Sequence, residues 1–400
     1  MDHVRFTYRL RMSKHALASL TAEWGRCRWL WNECVAKSRE VHALNQVHPS
    51  EVGRQTCGPA ALDKMLTDAR GQVAWLRAGS SVAQQQTIRD FGQSRAKAMK
   101  DIKSGLPVHR RAGMPRYRKK RGTRPTLNYT KRGFRLVQRQ LLLAGGISVR
   151  PVWSRELPAE PSSVRVFQDS LGHWYASFVL PGRPQPLPAT GKAIGIDWGV
   201  RRLATTTSPE HDLPHPHHGK NASGRLTRYQ RQMARRKGRE GKPGSKGYQR
   251  ARLHAAKAHK KVVRQRQDTA RKWAKRVVAD FDQIAVEDLK PAFMAKSTLA
   301  RKAADAAIGA TKRELIEMAA KHGRDLRLVH PSHTTTDCAR CGARTKHALP
   351  LGQRVYTCNT CGNTQPRDVN SAHVMINRAG FVPAGADRTR PDRPPDGQAA

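Results

Sequence analysis

The sequence predicts an α/β domain in the C-terminal half and a smaller β domain in the N-terminal half that carries a helical insertion. Two observations lead to this fold class. Residues 106–185 contain short strand-like segments joined by turns, whereas strands alternate with long helical segments after residue 190. The chain of 400 residues is long enough for two or three domains with sizeable cores, so a small scaffold held by disulfides is excluded.

The first 105 residues combine one strand with a helical region. Apolar and polar residues alternate from Val4 to Leu10, so residues 1–12 are expected to form a half-buried strand. Residues 13–105 are expected to be helical, with Gly and Pro between the helices. Apolar residues of the first helix recur every three or four positions, and we interpret this stripe as core and not as a base-stacking surface. The stripe consists of Leu17, Leu20, Trp24, Cys27, Trp31 and Cys34.

Residues 106–185 have the pattern of a small β domain. Apolar runs at 164–167 and 174–180 flank Asp169-Ser170-Leu171-Gly172, which is typical of a hairpin turn. The strand of residues 1–12 is expected to return to this domain. Four prolines between residues 181 and 188 predict a linker, because none of them can continue a central strand.

The second domain is expected to cover residues 190–336 and to be completed by a last helix within 364–383. Residues 224–279 predict a long basic helical pair whose tip, at 238–244, is rich in Gly and Pro. The tail at 384–400 is expected to be disordered. Strands are predicted at 192–197, 202–207, 282–286 and 326–329, and helices at 299–322 and 370–378.

The charge of the chain indicates a nucleic-acid partner. Its 75 basic and 30 acidic residues give a formal net charge of +45, which requires a polyanion to neutralise it. Acidic partners at i,i+4 are almost absent from the basic helical pair, so phosphates are the better partners there. No apolar run is long enough to span a membrane, and the N-terminus does not resemble a secretory signal. We therefore expect a cytoplasmic, nucleoid-associated protein.

Four cysteines form the most specific local motif. Cys338 and Cys341 are separated by two residues, as are Cys358 and Cys361, and residues 342–357 lie between the pairs. This spacing predicts a zinc ribbon at 337–363, in which two knuckles hold one tetrahedral Zn²⁺. Thiolates fill all four positions, so the zinc is structural. Two redox-active pairs are the alternative, which the lack of a surrounding thioredoxin-like pattern disfavours.

Three carboxylates stand at the ends of predicted elements. Asp197 and Glu287 each end an apolar strand, and Asp368 precedes the last helix. Each has an ordinary explanation, since Asp occurs in turns and caps helices. Together, however, they would repel one another without a cation. We interpret them as catalytic ligands of two Mg²⁺ ions that support phosphodiester hydrolysis, with Asp288 on the opposite face of its strand.

A loop that contains prolines also carries four histidines. A flexible loop without a matching carboxylate or cysteine gives no defined coordination geometry. We therefore expect that no metal binds to His211, His215, His217 and His218.

The order of these motifs resembles the TnpB family, transposon-encoded RNA-guided nucleases related to the miniature type V CRISPR effectors. The resemblance covers nearly the whole chain and is most specific in its C-terminal half. Pro366 departs from the family pattern, which often has an acidic residue there. The motifs are Gly195-Ile-Asp197-x-Gly199, the basic helical pair, Val286-Glu287-Asp288-Leu289, the four-cysteine ribbon and Arg367-Asp368-x-Asn370-x-Ala372.

This resemblance implies an RNase H-like, RuvC-type nuclease domain with an inserted zinc ribbon and with Asp197, Glu287 and Asp368 as Mg²⁺ ligands. The N-terminal half would be a β-barrel-like wedge domain with an inserted helical recognition domain. A guide RNA would pair with one strand of a double-stranded DNA target while the protein reads a short flanking motif.

Two other functions remain open at this point. A miniature type V CRISPR effector, which uses a crRNA, has the same domains and carboxylates. A guided DNA-binding repressor would need only charge and base pairing, and its usual mark would be a lost carboxylate. The sequence does not predict the oligomeric state.

Overall fold

The computed structural model describes residues 3–47, 55–120, 122–182, 184–238, 244–291, 294, 297–345, 349–350 and 352–381. The chain divides into two compact units, Asp2–Gly182 and Arg183–Ala400. The predicted tail and most of the predicted tip of the basic helical pair lie outside the described residues. Among the described helices, none combines the length and the apolar character that a membrane crossing requires.

The N-terminal unit contains a seven-stranded antiparallel sheet and a group of helices. The strand order is β2-β6-β7-β1-β5-β4-β3, so the first strand returns to the sheet as predicted. In the described part of the chain, no pairing joins the outer strands β2 and β3. The strands are β1 His3–Arg11, β2 Thr126–Thr130, β3 Phe134–Val137, β4 Gln140–Leu143, β5 Ile147–Pro151, β6 Ser163–Gln168 and β7 Trp174–Pro181. The helices are α1 Lys14–Val47, α2 Pro59–Gln72, α3 Ala74–Arg77 and α4 Ser81–Lys103.

The apolar stripe of α1 is core, as the sequence predicts. Leu20 and Trp24 pack against the sheet, whereas Trp31 belongs to a second cluster with residues of α2 and α4. The prediction is wrong for one member of the stripe, because Leu17 is 43% exposed. The buried face continues from Leu20 by a four-residue step to Ala16, which leaves Leu17 on the outer side of the first turn.

The C-terminal unit is built on a five-stranded sheet with the order β10-β9-β8-β11-β12. Strands β8, β11 and β12 are parallel, and β9 is antiparallel to β8. The strands are β8 Ala193–Trp198, β9 Arg202–Thr206, β10 Leu213–Pro214, β11 Gln283–Glu287, β12 Asp325–Val329, β13 Val355–Thr357 and β14 Thr364–Pro366. The helices are α5 His218–Arg235, α6 Lys246–Asp280, α7 Ala300–Ala306, α8 Ile308–Lys321 and α9 Arg367–Ala379.

The two faces of this sheet bury different helices. Ile194 and Ile196 of β8 face a large core that includes Trp273 of α6. The alternate residues of the strand face α9, because successive side chains of a strand point to opposite sides. At Gly195 an added Cβ would lie 2.0 Å from the carbonyl oxygen of Ala372. Glycine is therefore required for α9 to pack directly on β8.

Two helix boundaries differ from the sequence prediction. The single helix predicted at 299–322 is two helices, separated at Ala307, whose φ of 57° is left-handed. Helix α5 begins at His218 instead of 224, because the Asp305 carboxylate accepts hydrogen bonds from the backbone N–H groups of Gly219 and Lys220 at 2.6 and 2.9 Å. A capping carboxylate that lies 86 residues away from Gly219 leaves no local sequence signal.

Candidate functional site

Asp197 and Glu287 lie side by side on neighbouring parallel strands. The register pairs Val286 of β11 with Ile196 of β8, so the next residue of each strand is one of these two acids. Both side chains are on the face that α9 covers, because Gly195 and Asp197 are two residues apart. The sheet therefore brings together two of the three predicted carboxylates.

The third carboxylate comes from the first turn of α9. Ala372 lies over Gly195, and Asp368 is one helical turn nearer the start of α9. The N-cap of α9 is Pro366 and no side chain caps it, so Asp368 does not have the capping role considered from sequence. In the described part of the chain, the oxygens of the three carboxylates do not form a group lying entirely within 4.8 Å. They line the site without closing around a single point.

Burial and mutual repulsion raise the pKa values of this site. The pKa of Asp197 lies well above its usual range, first because of burial and then because of the negative charges of Glu287 and Asp368, which Arg367 opposes. Burial raises the pKa of Glu287 to about 7, against the backbone N–H of Trp198 and the charge of Lys312. The charges of Arg367 and Lys312 offset only part of this cost in the metal-free chain. Hard carboxylate oxygens are the ligands that Mg²⁺ prefers.

Asp288 belongs to a different interaction. Its carboxylate accepts a hydrogen bond from the Lys312 ammonium group at 2.7 Å, and this bond lowers the pKa of Asp288. The expectation that Asp288 lies outside the carboxylate group agrees with this pairing. Sequence reasoning missed Lys312, because it comes from a helix whose packing the sequence does not reveal.

The four cysteines converge on one point. Their sulfur atoms all lie within 4.8 Å of one another, with Sγ–Sγ distances of 3.7 Å for Cys338 and Cys361 and 3.6 Å for Cys341 and Cys358. Four ligands at the usual Zn–S distance in a tetrahedron are about 3.8 Å apart. The backbone N–H groups of Cys361 and Thr360 lower the pKa of Cys358 to about 6, which favours the thiolate that zinc binds.

The knuckle turns have the geometry that glycine permits. Gly342 and Gly362 follow the two cysteine pairs and have φ values of 76° and 71°. Strands β13 and β14 form a two-stranded sheet beside the second pair. The structure brings the four predicted cysteines together, and strand β14 runs directly into α9.

Asn370 joins this cysteine cluster to α9. Its side chain is fully buried, accepts hydrogen bonds from the backbone N–H of Ala339 at 3.0 Å and from Gln365 at 2.8 Å, and donates to the carbonyl of Asp337 at 2.7 Å. Asn377, two turns further along α9, donates to the carbonyl of Ala339 at 2.6 Å. The helix that carries Asp368 is therefore fixed to the first knuckle.

The histidine loop differs from the sequence expectation in one respect. The structure places a carboxylate, Asp305, beside His215 and His217, with one ligand atom of each within 4.8 Å of the others. Asp305 and His215 already have hydrogen-bond partners. Asp305 accepts hydrogen bonds from Arg266 and from two backbone N–H groups, and the Nδ1 atom of His215 accepts from the backbone N–H of His217. The cluster stabilises the start of α5.

Helices α5 and α6 form a basic surface. α5 contains five Lys and Arg residues and no acid, and α6 contains twelve Lys and Arg residues and two Asp. The ion pairs of these helices include Arg266 with Asp305, Arg271 with Glu314 and Lys272 with Asp268. A surface with this excess of cations is a candidate for phosphate binding.

Comparisons with known proteins agree with this fold. A family described as probable transposase matches residues 176–298, and one described as Cas12f1-like, TNB domain matches residues 309–375. A solved Cas12f1–sgRNA–target DNA complex contains a chain with a TM-score of 0.53 and 14% identity, over 92% of this chain and 84% of that one. This chain therefore shares its fold with that Cas12f1 chain.

Two curated relatives match almost the full length. A Streptomyces pristinaespiralis protein, provisionally named as an RNA-guided DNA endonuclease, is 29% identical over 97% of this chain and 92% of its own length. InsQ of Escherichia coli K12, with the same provisional name, is 26% identical over 97% and 95%. This similarity over almost the whole chain supports its resemblance to the TnpB family.

Proposed function

We propose that this chain is an RNA-guided DNA endonuclease in which Asp197, Glu287 and Asp368 are the catalytic Mg²⁺ ligands. It hydrolyses DNA phosphodiester bonds at sites that pair with a guide RNA and that carry a short flanking motif. The observation that carries this proposal is the convergence of three carboxylates from β8, β11 and α9 on one face of the sheet. The names of both relatives that match almost the full length support the same activity.

The residues of the site fit Mg²⁺. The donors are hard carboxylate oxygens, and a divalent cation would relieve the burial and repulsion that raise the pKa of Asp197. When bound, Mg²⁺ activates a water molecule and stabilises the leaving oxygen. The protein contributes fixed positions for the ligands: two parallel strands hold Asp197 and Glu287, and α9 holds Asp368 over them.

Zn²⁺ in the four-cysteine cluster has a structural role in this proposal. The sulfur spacing fits a tetrahedral ion, and no position is left for water. Because Asn370 ties the first knuckle to α9, the ribbon supports the helix that carries Asp368.

We assign the binding of nucleic acids to the domains of the chain. Residues 1–12 and 106–185 form the wedge domain, 13–105 the helical recognition domain, and 190–336 with 364–383 the RuvC-like domain. The net charge of +45 provides for a guide RNA and a double-stranded DNA target. The family relationship supports a transposon context, and the reaction requires access to the bacterial nucleoid. A crRNA-using effector and a guided repressor are the alternatives that the experiment must separate.

Plasmid cleavage by protein purified with its co-expressed native RNA tests the proposal. We expect guide-dependent cutting in Mg²⁺, none in EDTA and none in Asp197→Ala or Glu287→Gln. Asp288→Asn is the matched control, because it removes a neighbouring carboxylate that pairs with Lys312, and it should still cut. Guide-dependent binding without cutting by the intact chain would instead identify a repressor. Equal cutting by Glu287→Gln would refute the assigned ligands.

A further inference from the structure

A groove on the outer side of α1 combines exposed aromatic surface with positive charge. It encloses ≈ 670 Å³ between the first half of α1, the short helix α3 and the segment that ends at Lys120. No acidic residue is among the described residues that line it. The residues that the argument uses are Lys14, Leu17, Arg28, Trp29, Trp75 and Lys120.

Trp75 is held in a fixed orientation although 46% of it is exposed. Its ring meets the ring of Trp29 edge to face, with centroids 6.3 Å apart at an interplanar angle of 90°. The Arg26 guanidinium lies 5.8 Å from the ring centroid and donates a hydrogen bond to the Trp75 carbonyl at 2.8 Å. Arg26 is itself fixed by an ion pair with the buried Glu23 at 3.0 Å. A rigid, accessible indole is thus built into the groove.

The cations of the groove are available to a ligand. The ion pairs found among the described residues include none with Lys14, Arg28 or Lys120. Lys14 and Lys120 are exposed, and Arg28 makes a hydrogen bond of 3.3 Å with a backbone carbonyl. An occupant must therefore combine a flat apolar surface with negative charge, which is the chemistry of a nucleotide.

We infer that this groove binds an unpaired nucleotide of RNA, with the base stacked on Trp75 and the phosphates against Lys14, Arg28 and Lys120. The inference rests on the proposed function, since it names a binding site for the guide RNA. A second copy of the chain fits poorly, because a partner with a net charge of +45 would bring more positive charge to a groove without acids. Trp75 lies on α3 and is not part of the apolar stripe of α1. The tryptophans of that stripe, Trp24 and Trp31, are buried.

Fluorescence anisotropy on the guide-free full chain tests the inference, with a labelled single-stranded oligoadenylate of about twelve nucleotides as the probe. Base stacking on an aromatic side chain contributes about 1–3 kcal/mol, so Trp75→Ala should weaken binding about tenfold. Trp75→Phe, which keeps an aromatic face, should retain most of the affinity. Lys120→Ala should reduce the salt dependence of binding, whereas Trp75→Ala should leave it nearly unchanged. Val108→Ala, at a residue of the same unit that is 80% exposed, is the control.

The outcomes separate this inference from the proposed function. Unchanged affinity in Trp75→Ala, or equal losses in the Ala and Phe variants with unchanged melting temperatures, would overturn the stacking site. So would a concentration-dependent dimer that disappears in Trp75→Ala, because the groove would then hold a second copy. Cleavage is not needed for this assay, so failure of the groove leaves the catalytic proposal intact, and loss of cleavage in Asp197→Ala says nothing about the groove.

Discussion

Ionisation of Glu287 lowers the stability of the metal-free fold. Its side chain is buried, and its pKa rises from an ordinary value of 4.5 to about 7. Between these two pH values the folded chain keeps the proton that the unfolded chain releases. The stability of the metal-free protein should therefore fall as the pH rises through this window, with the full loss reached above about pH 7.

Glu287→Gln should stabilise the metal-free protein at neutral pH. The amide cannot ionise, so the variant avoids a cost that the pKa difference puts at about 3 kcal/mol. Thermal unfolding in EDTA should give a higher midpoint for the variant at pH 7.5, and the two curves should converge near pH 4. Cleavage should be lost under all conditions.

Asp288→Asn, at the neighbouring position, should change the stability of the protein in the opposite direction. The pKa of Asp288 is lowered by its hydrogen bond with Lys312, so its charge stabilises the fold. The asparagine variant should lose stability at neutral pH and match the intact chain at low pH.

A Glu287→Gln variant that melts below the intact chain in EDTA would contradict the proposed electrostatic cost of Glu287.

At the residue scale, the sequence was informative where a carboxylate side chain stands at the end of a predicted strand. Asp197 and Glu287 could be selected because each ends a short apolar strand, and parallel strands place such ends together. Gly195 illustrates what could not be predicted. Its role depends on the carbonyl of Ala372 lying where a Cβ would be, and that contact exists only after α9 has packed on the sheet.

At the scale of elements, α9 belongs to two structures at once. Its apolar side packs on β8 and β11 through Met375 and Ile376. Its polar side is hydrogen-bonded to the four-cysteine segment through Asn370. The position of Asp368 therefore depends on both contacts. The four-cysteine segment therefore supports the helix that carries Asp368.

Asn370→Ala should weaken cleavage more than it weakens binding of the guide RNA. The substitution leaves the part-buried N–H of Ala339 and the carbonyl of Asp337 without their side-chain partner, at a cost of about 1–3 kcal/mol in unfolding free energy. The Mg²⁺ concentration for half-maximal cutting should rise, because Asp368 is no longer held in place. Melting curves, Mg²⁺ titrations of cleavage and RNA binding measure the three effects.

Asn359→Ala is the matched control, since Asn359 lies exposed in the same ribbon beside Cys358. Removal of zinc by a chelator that leaves Mg²⁺ in solution should reproduce the Asn370→Ala pattern in the intact chain. Normal Mg²⁺ dependence in Asn370→Ala, despite a lower melting temperature, would mean that the ribbon stabilises the fold without positioning Asp368.

Element boundaries were predictable where the signal is local. The cysteine spacing predicted the ribbon because each knuckle is specified by six consecutive residues or fewer. The break at Ala307 and the start of α5 at His218 were not predictable, because a left-handed alanine and a distant Asp305 carboxylate determine them. A tertiary contact decides where α5 begins. At the break, residue 307 is neither Gly nor Pro, so the sequence there gives no signal.

At the scale of the whole molecule, charge was the most direct prediction from sequence. The excess of cations is uneven, and α5 and α6 together carry seventeen Lys and Arg residues against two Asp. Such a surface binds phosphates through the release of counterions, so its contribution to affinity must depend on salt. The composition predicts this behaviour without any knowledge of the fold, but only the structure identifies which cations are exposed on one element.

RNA binding by the guide-free chain should show a steep linear decrease of log K with log salt concentration. Each phosphate contact contributes about 0.7 to the slope for single strands and about 0.9 for duplexes. Replacing Arg252, Lys257 and Lys261, three exposed residues of α6, by alanine should lower the slope by about 2 to 3. Lys131→Ala removes a cation that is paired with Glu160 and should change the slope far less. An unchanged slope in the triple variant would place the RNA on another surface, whereas a shallow slope in the intact chain would remove the electrostatic argument for a nucleic-acid partner.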